Sequence, residues 1–540
     1  MKELLETIPE YRRNVNRLAA FSLLVILLFC QFTYAERQIS QFGITWTFDR
    51  DYTVGQFANG DYWVLGPVTI IGIDPPSIET NGRTMNGSMV NPSPKLGRIQ
   101  GYDSSMYGGY GPHFNPNLNA VRPNNQDLTP RNPLVLQPHS SLVSTISIPE
   151  PGHRPQFRTA AILTVLPEAA PDGSFRPPYC GSDKAIKFNK DQLDYSLLAN
   201  LKPVPGAPGI MAVERYFERP WIDHIPGWLG RYQHPAENMP WYDRDVCTQV
   251  GVGALKLHLN LTNQMKEVLL IRYVQLGIDL YGIVQDGGKA NWLQDSGRKY
   301  PILFAGLVLN NSDMKNIGAV DDPADPNHIR FEEDETTFYV TQKDVDMTHS
   351  SQWKPDNRSA MLLPYEEKDV GLPEWGIVRM YDRTRINKYW RAIYRTVIGQ
   401  AYGGFVLTIH IMGVKDLWNH DALFDYKDRY MQVESKYRGT SKFVERMWDA
   451  YRADFGPVWT MLPTLNITAT GGSVTKTNDK TAYALGEKVI LRAVADEGYQ
   501  FAGWSGGLSG TVNPVTIVMY ANRSITANFV TIALAPENGK

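Results

Sequence analysis

Cysteine is scarce in this chain of 540 residues, which contains only three copies. Cys30 falls in an N-terminal apolar segment, so Cys180 and Cys247 remain for the body of the protein. The spacing of Cys and His does not resemble that of a structural zinc site, which argues against a zinc-stabilised fold. Two isolated cysteines are compatible with a disulfide in an exported protein and equally with two buried thiols, so their state stays open.

A charge excess of one sign is also missing, because the formal net charge is −2. Such a balance gives no global argument for binding nucleic acid, and an anionic ligand would have to be held by local cations. The chain has no Gly-Lys-Ser/Thr loop that could cradle a phosphate. We therefore expect no nucleic-acid partner and no cofactor. Aromatic residues, by contrast, make up 11% of the chain, which suits sugar binding as well as a large core.

Long apolar runs are confined to the N-terminus. Arginines within residues 12–17 precede an apolar run at residues 18–29, and residues 33–35 offer a cleavage site. This pattern predicts a signal peptide at residues 1–35 and hence a secreted, periplasmic or cell-surface protein. The alternative is an uncleaved membrane anchor, although the run is short for a spanning helix.

The periodicity of the apolar residues changes along the rest of the chain. Residues 36–175 predict a β-rich region, with strand-like runs at residues 44–48, 62–73, 141–148 and 159–166. Residues 176–463 predict helices, with helical spacing at residues 246–261, 265–283, 389–412, 422–431 and 442–451. Apolar helices joined by polar aromatic loops favour helical hairpins packed in a ring, an α/α toroid.

The C-terminal residues 464–540 are typical of short strands and glycine turns. The motifs are G-E-K-V at 486–489, G-Y-Q-F-A-G-W-S-G at 498–506 and I-T-A-N-F at 525–529. Residues 465–530 thus resemble the divergent internalin-type B-repeat. The resemblance implies a small all-β module that contacts a cell surface or polysaccharide and carries no chemistry. Trp504 is expected in its core rather than on a sugar. The predicted fold class is multidomain α+β.

Four patches mix polar and aromatic residues beside predicted helix ends, at residues 175–184, 234–245, 287–300 and 416–430. In an α/α ring, the loops at one end of the hairpins converge on a central cleft. We therefore expect these patches to line one site.

Some of these residues carry a family resemblance. The sequences G-R-K-Y-P-I-L-F-A-G at 297–306 and W-N-H-D-A-L-F-D-Y-K-D-R-Y-M at 418–431 resemble helical-toroid polysaccharide lyases of the alginate-lyase and heparinase-like group. P-Y-C-G-S-D-K at 178–184 and N-M-P-W-Y-D-R-D at 238–245 fit the same group of exported bacterial proteins. The resemblance implies β-elimination on a polysaccharide rich in uronic acids, of the alginate, glucuronan or ulvan type.

Such a reaction dictates which residue types the site needs. The C5 proton of a uronate is weakly acidic, so the enzyme must neutralise the carboxylate, supply a base at C5 and supply an acid at the leaving oxygen. His234 or Tyr242 are the predicted proton-transfer groups, Asn238 with Arg244 the predicted carboxylate neutralisers, and His420 a second candidate base. The predicted substrate-binding residues are Tyr179, Lys184, Asn291, Trp292, Arg298, Trp418 and Asn419.

Structural roles compete with these assignments. Asn238 and Tyr242 also suit a helix cap with a packing ring, and Arg244 suits a charge pair with Asp245. Asn419 or Asp421 could cap a helix that begins at Ala422, which would make His420 structural.

The acidic residues of 321–335 could hold calcium, but they lack EF-hand spacing, so a solvated loop is favoured.

Two other functions remain open. The first is a glycoside hydrolase that uses two of Glu237, Asp243 and Asp245. The second is a non-catalytic carbohydrate-binding surface protein.

Overall fold

The structure is a computed structural model that describes parts of the chain. The described residues are 34–107, 113–121, 128–225, 227–238, 243–288, 296–320, 331–351, 364–376, 396–460, 462–483, 487–519 and 523–532. Residues 1–33 of the signal peptide predicted at residues 1–35 lie outside them. None of the helices in the described ranges has the length and hydropathy needed to span a bilayer.

The N-terminal region is β-rich, as predicted. Its strands are β1 (Tyr34–Gln41), β2 (Ile44–Gln56), β3 (Tyr62–Leu65), β4 (Val68–Asp74), β5 (Ile78–Thr80), β6 (Arg83–Met85), β7 (Ser88–Val90), β8 (Leu134–Leu136), β9 (Ser140–Ser147) and β10 (Phe157–Leu166). An eight-stranded sheet has the order β7-β9-β10-β3-β2-β4-β8, with β1 paired to β2, and β5 pairs with β6. Strands β3 and β10 are parallel.

The alternation of apolar residues along β2 places one face of this sheet in a core. Ile44, Trp46 and Phe48 are buried, while the threonines between them are partly exposed. This alternation is the period of two that a half-buried strand requires. The run at 62–73 forms two strands instead of one, because Pro67 has no N–H to continue the ladder.

The middle of the chain is helical, as predicted. Its helices are α1 (Ile210–Glu214), α2 (Asp243–Leu257), α3 (Asn263–Gln285), α4 (Lys299–Val308), α5 (Ser312–Lys315), α6 (Glu332–Thr336), α7 (Gln342–Thr348), α8 (Gly403–Met412), α9 (Lys415–Trp418), α10 (Asp421–Val433) and α11 (Lys442–Tyr451). Strands β11 (Thr337–Tyr339) and β12 (Pro373–Trp375) form a small antiparallel pair. The expected helix at 389–412 is α-helical from Gly403, and its residues 389–395 lie outside the described chain.

Glycines allow the helices of this region to approach closely. Helix α2 packs against α8, and a Cβ added at Gly251 would lie 2.8 Å from the Cα of Gly404. Helix α3 packs against α4, where Gly277 lies against the carbonyl of Pro301. Larger side chains at these glycines would force the helix pairs apart.

The C-terminal module is a separate all-β element. Its strands are β13 (Leu465–Thr470), β14 (Gly472–Lys476), β15 (Glu487–Ala495), β16 (Tyr499–Gly506), β17 (Val515–Met519) and β18 (Arg523–Thr531). They form two sheets, β13-β18-β16 and β14-β15-β17. One apolar core draws on both sheets and includes Val489, Leu491, Trp504, Ile517 and Ile525.

Contacts divide the chain into two compact units. The first unit consists of Met1–Leu193, Glu218–Ile225 and Tyr232–Glu237, and the second of Asp194–Phe217, Pro226–Arg231 and Asn238–Lys540. The chain thus returns twice to the first unit after residue 193. The domain boundaries predicted at 175/176 and 463/464 stay predictions, as does the ring arrangement of the helices.

Two expectations change at this level. The favoured solvated loop is wrong for residues 332–334, because Glu332, Glu333 and Asp334 lie buried in α6. The open question about the cysteines is also answered, since Cys180 and Cys247 are both buried thiols.

Candidate functional site

The predicted site residues contribute to two buried clusters, one in each unit. The His–Tyr cluster of the first unit consists of Tyr102, Tyr179, Asp223, His224 and His234. The Lys–carboxyl cluster of the second unit consists of Lys299, Glu333, Asp334, Tyr402 and Trp418.

Asp223 is the hub of the His–Tyr cluster. Its Oδ1 lies 2.9 Å from Nε2 of His234, and its backbone N–H donates to the Tyr179 hydroxyl at 2.8 Å. The ring of His234 stacks on Trp221, with centroids 5.9 Å apart. A carboxylate beside Nε2 favours a proton on that nitrogen and fixes the orientation of the ring.

His224 is held neutral in the same cluster. Burial lowers its pKa to about 3, against the opposing charge of Asp223. The Tyr179 hydroxyl lies 3.5 Å from its Nδ1, so the proton of the neutral ring belongs on Nε2. A neutral imidazole beside a phenol offers a bound group one hydrogen-bond donor on each ring.

Two polar atoms of this cluster have no hydrogen-bond partner within the described residues, the Tyr102 hydroxyl and Nε2 of His224. Their rings meet edge to face, with centroids 6.2 Å apart. Burial raises the pKa of Tyr102, and the neighbouring Cys180 and Tyr107 add to the rise. Both groups are therefore neutral donors at physiological pH, enclosed in a site that leaves their hydrogens unused.

The Lys–carboxyl cluster joins two of the predicted patches. Lys299 from the third patch pairs closely with Asp334 and donates to the Trp418 carbonyl of the fourth patch at 2.8 Å. The indole Nε1 of Trp418 donates to the other oxygen of Asp334 at 2.7 Å. Lys299 and Asp334 are both buried, so the charge of each is balanced by the other and not by water.

Glu333 is the least compensated carboxyl of this cluster. Burial, and then the charge of Asp334, raise its pKa from 4.5 to about 7, although the N–H of Gly297 and the charge of Lys299 lower it. The N–H of Gly297 lies 3.2 Å from its Oε2. Nearby, the Tyr402 hydroxyl hydrogen-bonds the Ser296 hydroxyl at 2.9 Å. A carboxyl group with a pKa near 7 can serve as a general acid.

The predicted catalytic residues other than His234 do not belong to the His–Tyr cluster or lie outside the described residues. Asn238 is buried, and its carbonyl accepts from Gln249 at 2.8 Å. Arg244 lies half-buried in the first turn of α2, 3.4 Å from the carboxylate of Asp245, which is the charge pair named as its structural alternative. Tyr242 lies outside the described residues. His420 accepts or donates at Thr337, with Nε2 3.0 Å from the side-chain oxygen and 2.9 Å from the carbonyl.

The predicted substrate-binding residues mostly make contacts within the protein. Tyr179 and Lys184 are buried, and Lys184 donates to backbone carbonyls. Arg298 is buried and donates to the Ser296 carbonyl at 2.9 Å. Trp418 belongs to the Lys–carboxyl cluster. Asn291 and Trp292 lie outside the described residues.

The expected helix cap before Ala422 is wrong in its detail. His420 occupies the N-cap position of α10, without a side-chain cap hydrogen bond, and Asp421 is the first helical residue. Asn419 instead ends α9 in the left-handed conformation, with φ of 60°. Its side chain donates to the Gly318 carbonyl at 3.3 Å. Asparagine tolerates this backbone better than most residues.

Sequence reasoning missed Asp223, His224 and Glu333. Asp223 and His224 stand between Trp221 and Ile225 in an apolar stretch, and an ionisable pair in such a stretch is a signal that could have been used. Glu333 was hidden inside an acidic run that suited a solvated loop. Only the fold shows that this carboxyl is withdrawn from water.

The described residues contain no group of three or more His, Cys, Asp or Glu side chains arranged to hold a metal ion. Of the α6 carboxylates, Asp334 pairs with Lys299 and Glu333 accepts from the N–H of Gly297. Residues 321–330, the first part of the acidic run, lie outside the described chain, and the calcium expectation there stays a prediction.

Comparison with known proteins identifies the C-terminal module. Residues 463–533 match the family model of the divergent InlB B-repeat domain, which confirms the predicted module. This domain is typical of surface or extracellular proteins. The polysaccharide-lyase resemblance of the helical middle stays a prediction. No curated protein and no solved structure matches the chain.

Proposed function

We propose that this protein is an exported lyase that cleaves a uronic-acid-containing anionic polysaccharide by β-elimination, in the His–Tyr cluster. One observation carries the proposal. The Tyr179 hydroxyl lies between the N–H of Asp223, at 2.8 Å, and Nδ1 of the neutral His224, at 3.5 Å. A phenol held between a backbone donor and an imidazole nitrogen is positioned to pass a proton to a bound group.

The reaction needs two proton transfers, and the cluster offers a group for each. His234 is the base that removes the C5 proton, and the carboxylate of Asp223, 2.9 Å from its Nε2, orients the imidazole ring. The C4–O bond then breaks as the C4–C5 double bond forms. Tyr179 protonates the departing oxygen. Nε2 of His224 and the Tyr102 hydroxyl donate to the uronate carboxylate and stabilise the charge that develops next to C5.

The proposed reaction requires the polymer to reach buried side chains. Each of the five side chains is almost completely buried in the ligand-free chain. The polymer can reach the cluster only if part of the surrounding chain moves when it binds, as in other enzymes that enclose their substrates.

A test follows from the product. The purified protein is incubated with alginate, glucuronan, ulvan and glycosaminoglycans, and near-ultraviolet absorbance is followed, because elimination creates an unsaturated uronate. Tyr179→Phe is expected to lower kcat by about a hundredfold or more, as loss of a general acid does. The matched control is Tyr62→Phe, a partly exposed tyrosine of β3. Full activity in Tyr179→Phe would contradict the assignment.

A second candidate function is glycoside hydrolysis in the Lys–carboxyl cluster, and the raised pKa of Glu333 favours it. A carboxyl with a pKa of about 7 is protonated often enough at neutral pH to protonate a glycosidic oxygen. Two of the three carboxylates first considered for this role are engaged elsewhere, since Glu237 pairs with Arg219 at 2.6 Å and Asp245 with Arg244. New reducing ends without near-ultraviolet absorbance, abolished in Glu333→Gln, would establish this reaction in place of elimination.

The proposal extends to the whole protein. The helical middle would form a toroid of hairpins that presents a polysaccharide cleft. The C-terminal module, which belongs to a domain type found in surface or extracellular proteins, would hold the enzyme near a cell surface or its polymer.

A further inference from the structure

The loop that carries Tyr179 is folded around one ammonium group. Nζ of Lys184 donates to the carbonyls of three consecutive residues, Pro178 at 2.6 Å, Tyr179 at 3.1 Å and Cys180 at 3.1 Å. The side chain is 2% exposed. A lysine ammonium has three N–H donors, and here three carbonyls converge on it.

A second buried cation anchors the other end of the same loop. Nε of Arg176 pairs with the carboxylate of Asp61 at 2.6 Å, and its Nη1 donates to the Pro177 carbonyl at 2.9 Å. Asp61 lies in the turn between β2 and β3. The backbone on both sides of Tyr179 is therefore tied to groups that do not move with the side chain.

The position of the Tyr179 backbone determines where its hydroxyl group lies. Tyr179 reaches the N–H of Asp223 and Nδ1 of His224, and Asp223 in turn holds His234. If the ammonium were absent, three carbonyl dipoles would point at one another across an empty space, which is unfavourable. The loop would then open, and the phenol would lose its place against Asp223.

We propose that Lys184 is a positioning residue of the His–Tyr cluster, which sets the Tyr179 hydroxyl against Asp223 and His224 through the loop backbone. Its three hydrogens are directed to carbonyls, so it orients the site instead of binding a substrate carboxylate. The catalytic part of this inference rests on the proposed function, whereas the structural part does not.

Lys184→Ala with chemical rescue is the test. The variant leaves the three carbonyls around a space into which ethylammonium fits, and equal concentrations of sodium chloride control for ionic strength. Lys187→Ala is the matched control, because Lys187 belongs to the same loop but is exposed and pairs with Asp183 at 2.7 Å.

Two readouts are measured on the full chain. The first is the imidazole signal of His224 in spectra of histidine-labelled protein, assigned by its loss in His224→Gln. The second is kcat and KM for elimination. We expect Lys184→Ala to shift the His224 signal and to lower kcat by about a hundredfold with KM little changed, because a displacement of about 1 Å costs that much. Ethylammonium restores both, and Lys187→Ala changes neither.

The outcomes separate this inference from the proposed function. A His224 signal that shifts and is restored by ethylammonium, in a chain without any lyase activity, supports the positioning role and rejects the lyase. A His224 signal in Lys184→Ala identical to that of the wild type overturns the positioning role, as does a shift that ethylammonium leaves unchanged. If Lys184→Ala does not fold, Lys184→Met replaces it, since Met keeps an unbranched side chain without N–H donors, and wild-type signals there overturn the inference.

Discussion

Glu333 is a carboxyl group that the fold withdraws from water while leaving it one backbone donor. Its pKa is raised from 4.5 to about 7, first by burial and then by Asp334. The folded chain therefore binds this proton more tightly than the unfolded chain does. The corresponding stability is fully present below about pH 4.5 and is lost as the pH rises through about 7.

Replacement by glutamine should remove this pH dependence. We expect Glu333→Gln to be more stable than the wild type by roughly 2–3 kcal/mol at pH 8.5 and nearly equal to it at pH 4.5, since each pKa unit corresponds to about 1.4 kcal/mol. Denaturant unfolding at the two pH values measures the difference. The control is Glu367→Gln, an exposed carboxyl in a short turn. A difference between variant and wild type that does not change with pH would show that Glu333 titrates normally.

In helix α10, the spacing of the charged residues does not predict their partners. The spacing of Asp425, Asp428 and Arg429 predicts an ion network on the helix surface, and the structure contradicts this prediction. Asp428 is buried and pairs with Arg452 at 2.7 Å, and Arg429 pairs with Glu374 at 3.2 Å. Asp425 accepts from the Tyr339 hydroxyl at 2.6 Å. Each partner is distant in sequence, so no helical period could have identified it.

The contact of α2 with α8 depends on two glycines. A Cβ at Gly404 would lie 2.5 Å from the Cα of Gly251, a contact that backbone cannot relieve without moving a helix. We expect Gly404→Ala to destabilise the helical middle by about 1–3 kcal/mol, which is typical of overpacking. Denaturant unfolding followed by circular dichroism at helical wavelengths gives the value. Gly209→Ala, where the added Cβ meets nothing within 4 Å, should stay within about 0.5 kcal/mol of the wild type.

At the scale of the whole molecule, the C-terminal module has a core of its own. Trp504 is 5% exposed in that core, its Nε1 donates to the Val512 carbonyl at 2.8 Å, and its ring contacts Phe501. Because a small core supplies only about 3–5 kcal/mol of stability, one large aromatic side chain is a large share of it. The burial also agrees with the expected core role of this residue.

Trp504→Ala should therefore unfold the module and leave the rest of the chain folded. The loss of a buried Trp costs about 3–5 kcal/mol, which is as much as the module can supply. Calorimetry of the full chain is expected to lose the transition of the module, and limited proteolysis to cut within residues 463–533. Ile490→Ala, on the exposed face of β15, is the control and should keep both. A retained module transition in Trp504→Ala would mean that the module is stabilised by more than its own core.

The sequence alone determined the β-rich start, the helical middle, the C-terminal module and most helix positions, because periodicity and turn motifs act over a few neighbouring residues. It also found His234 and Tyr179 as site candidates from their residue types. Only the tertiary structure decided that Asp223 joins them, that Lys184 holds the loop backbone, and that Glu333 is buried. These outcomes depend on burial and on partners far apart in the chain, and a local pattern contains neither.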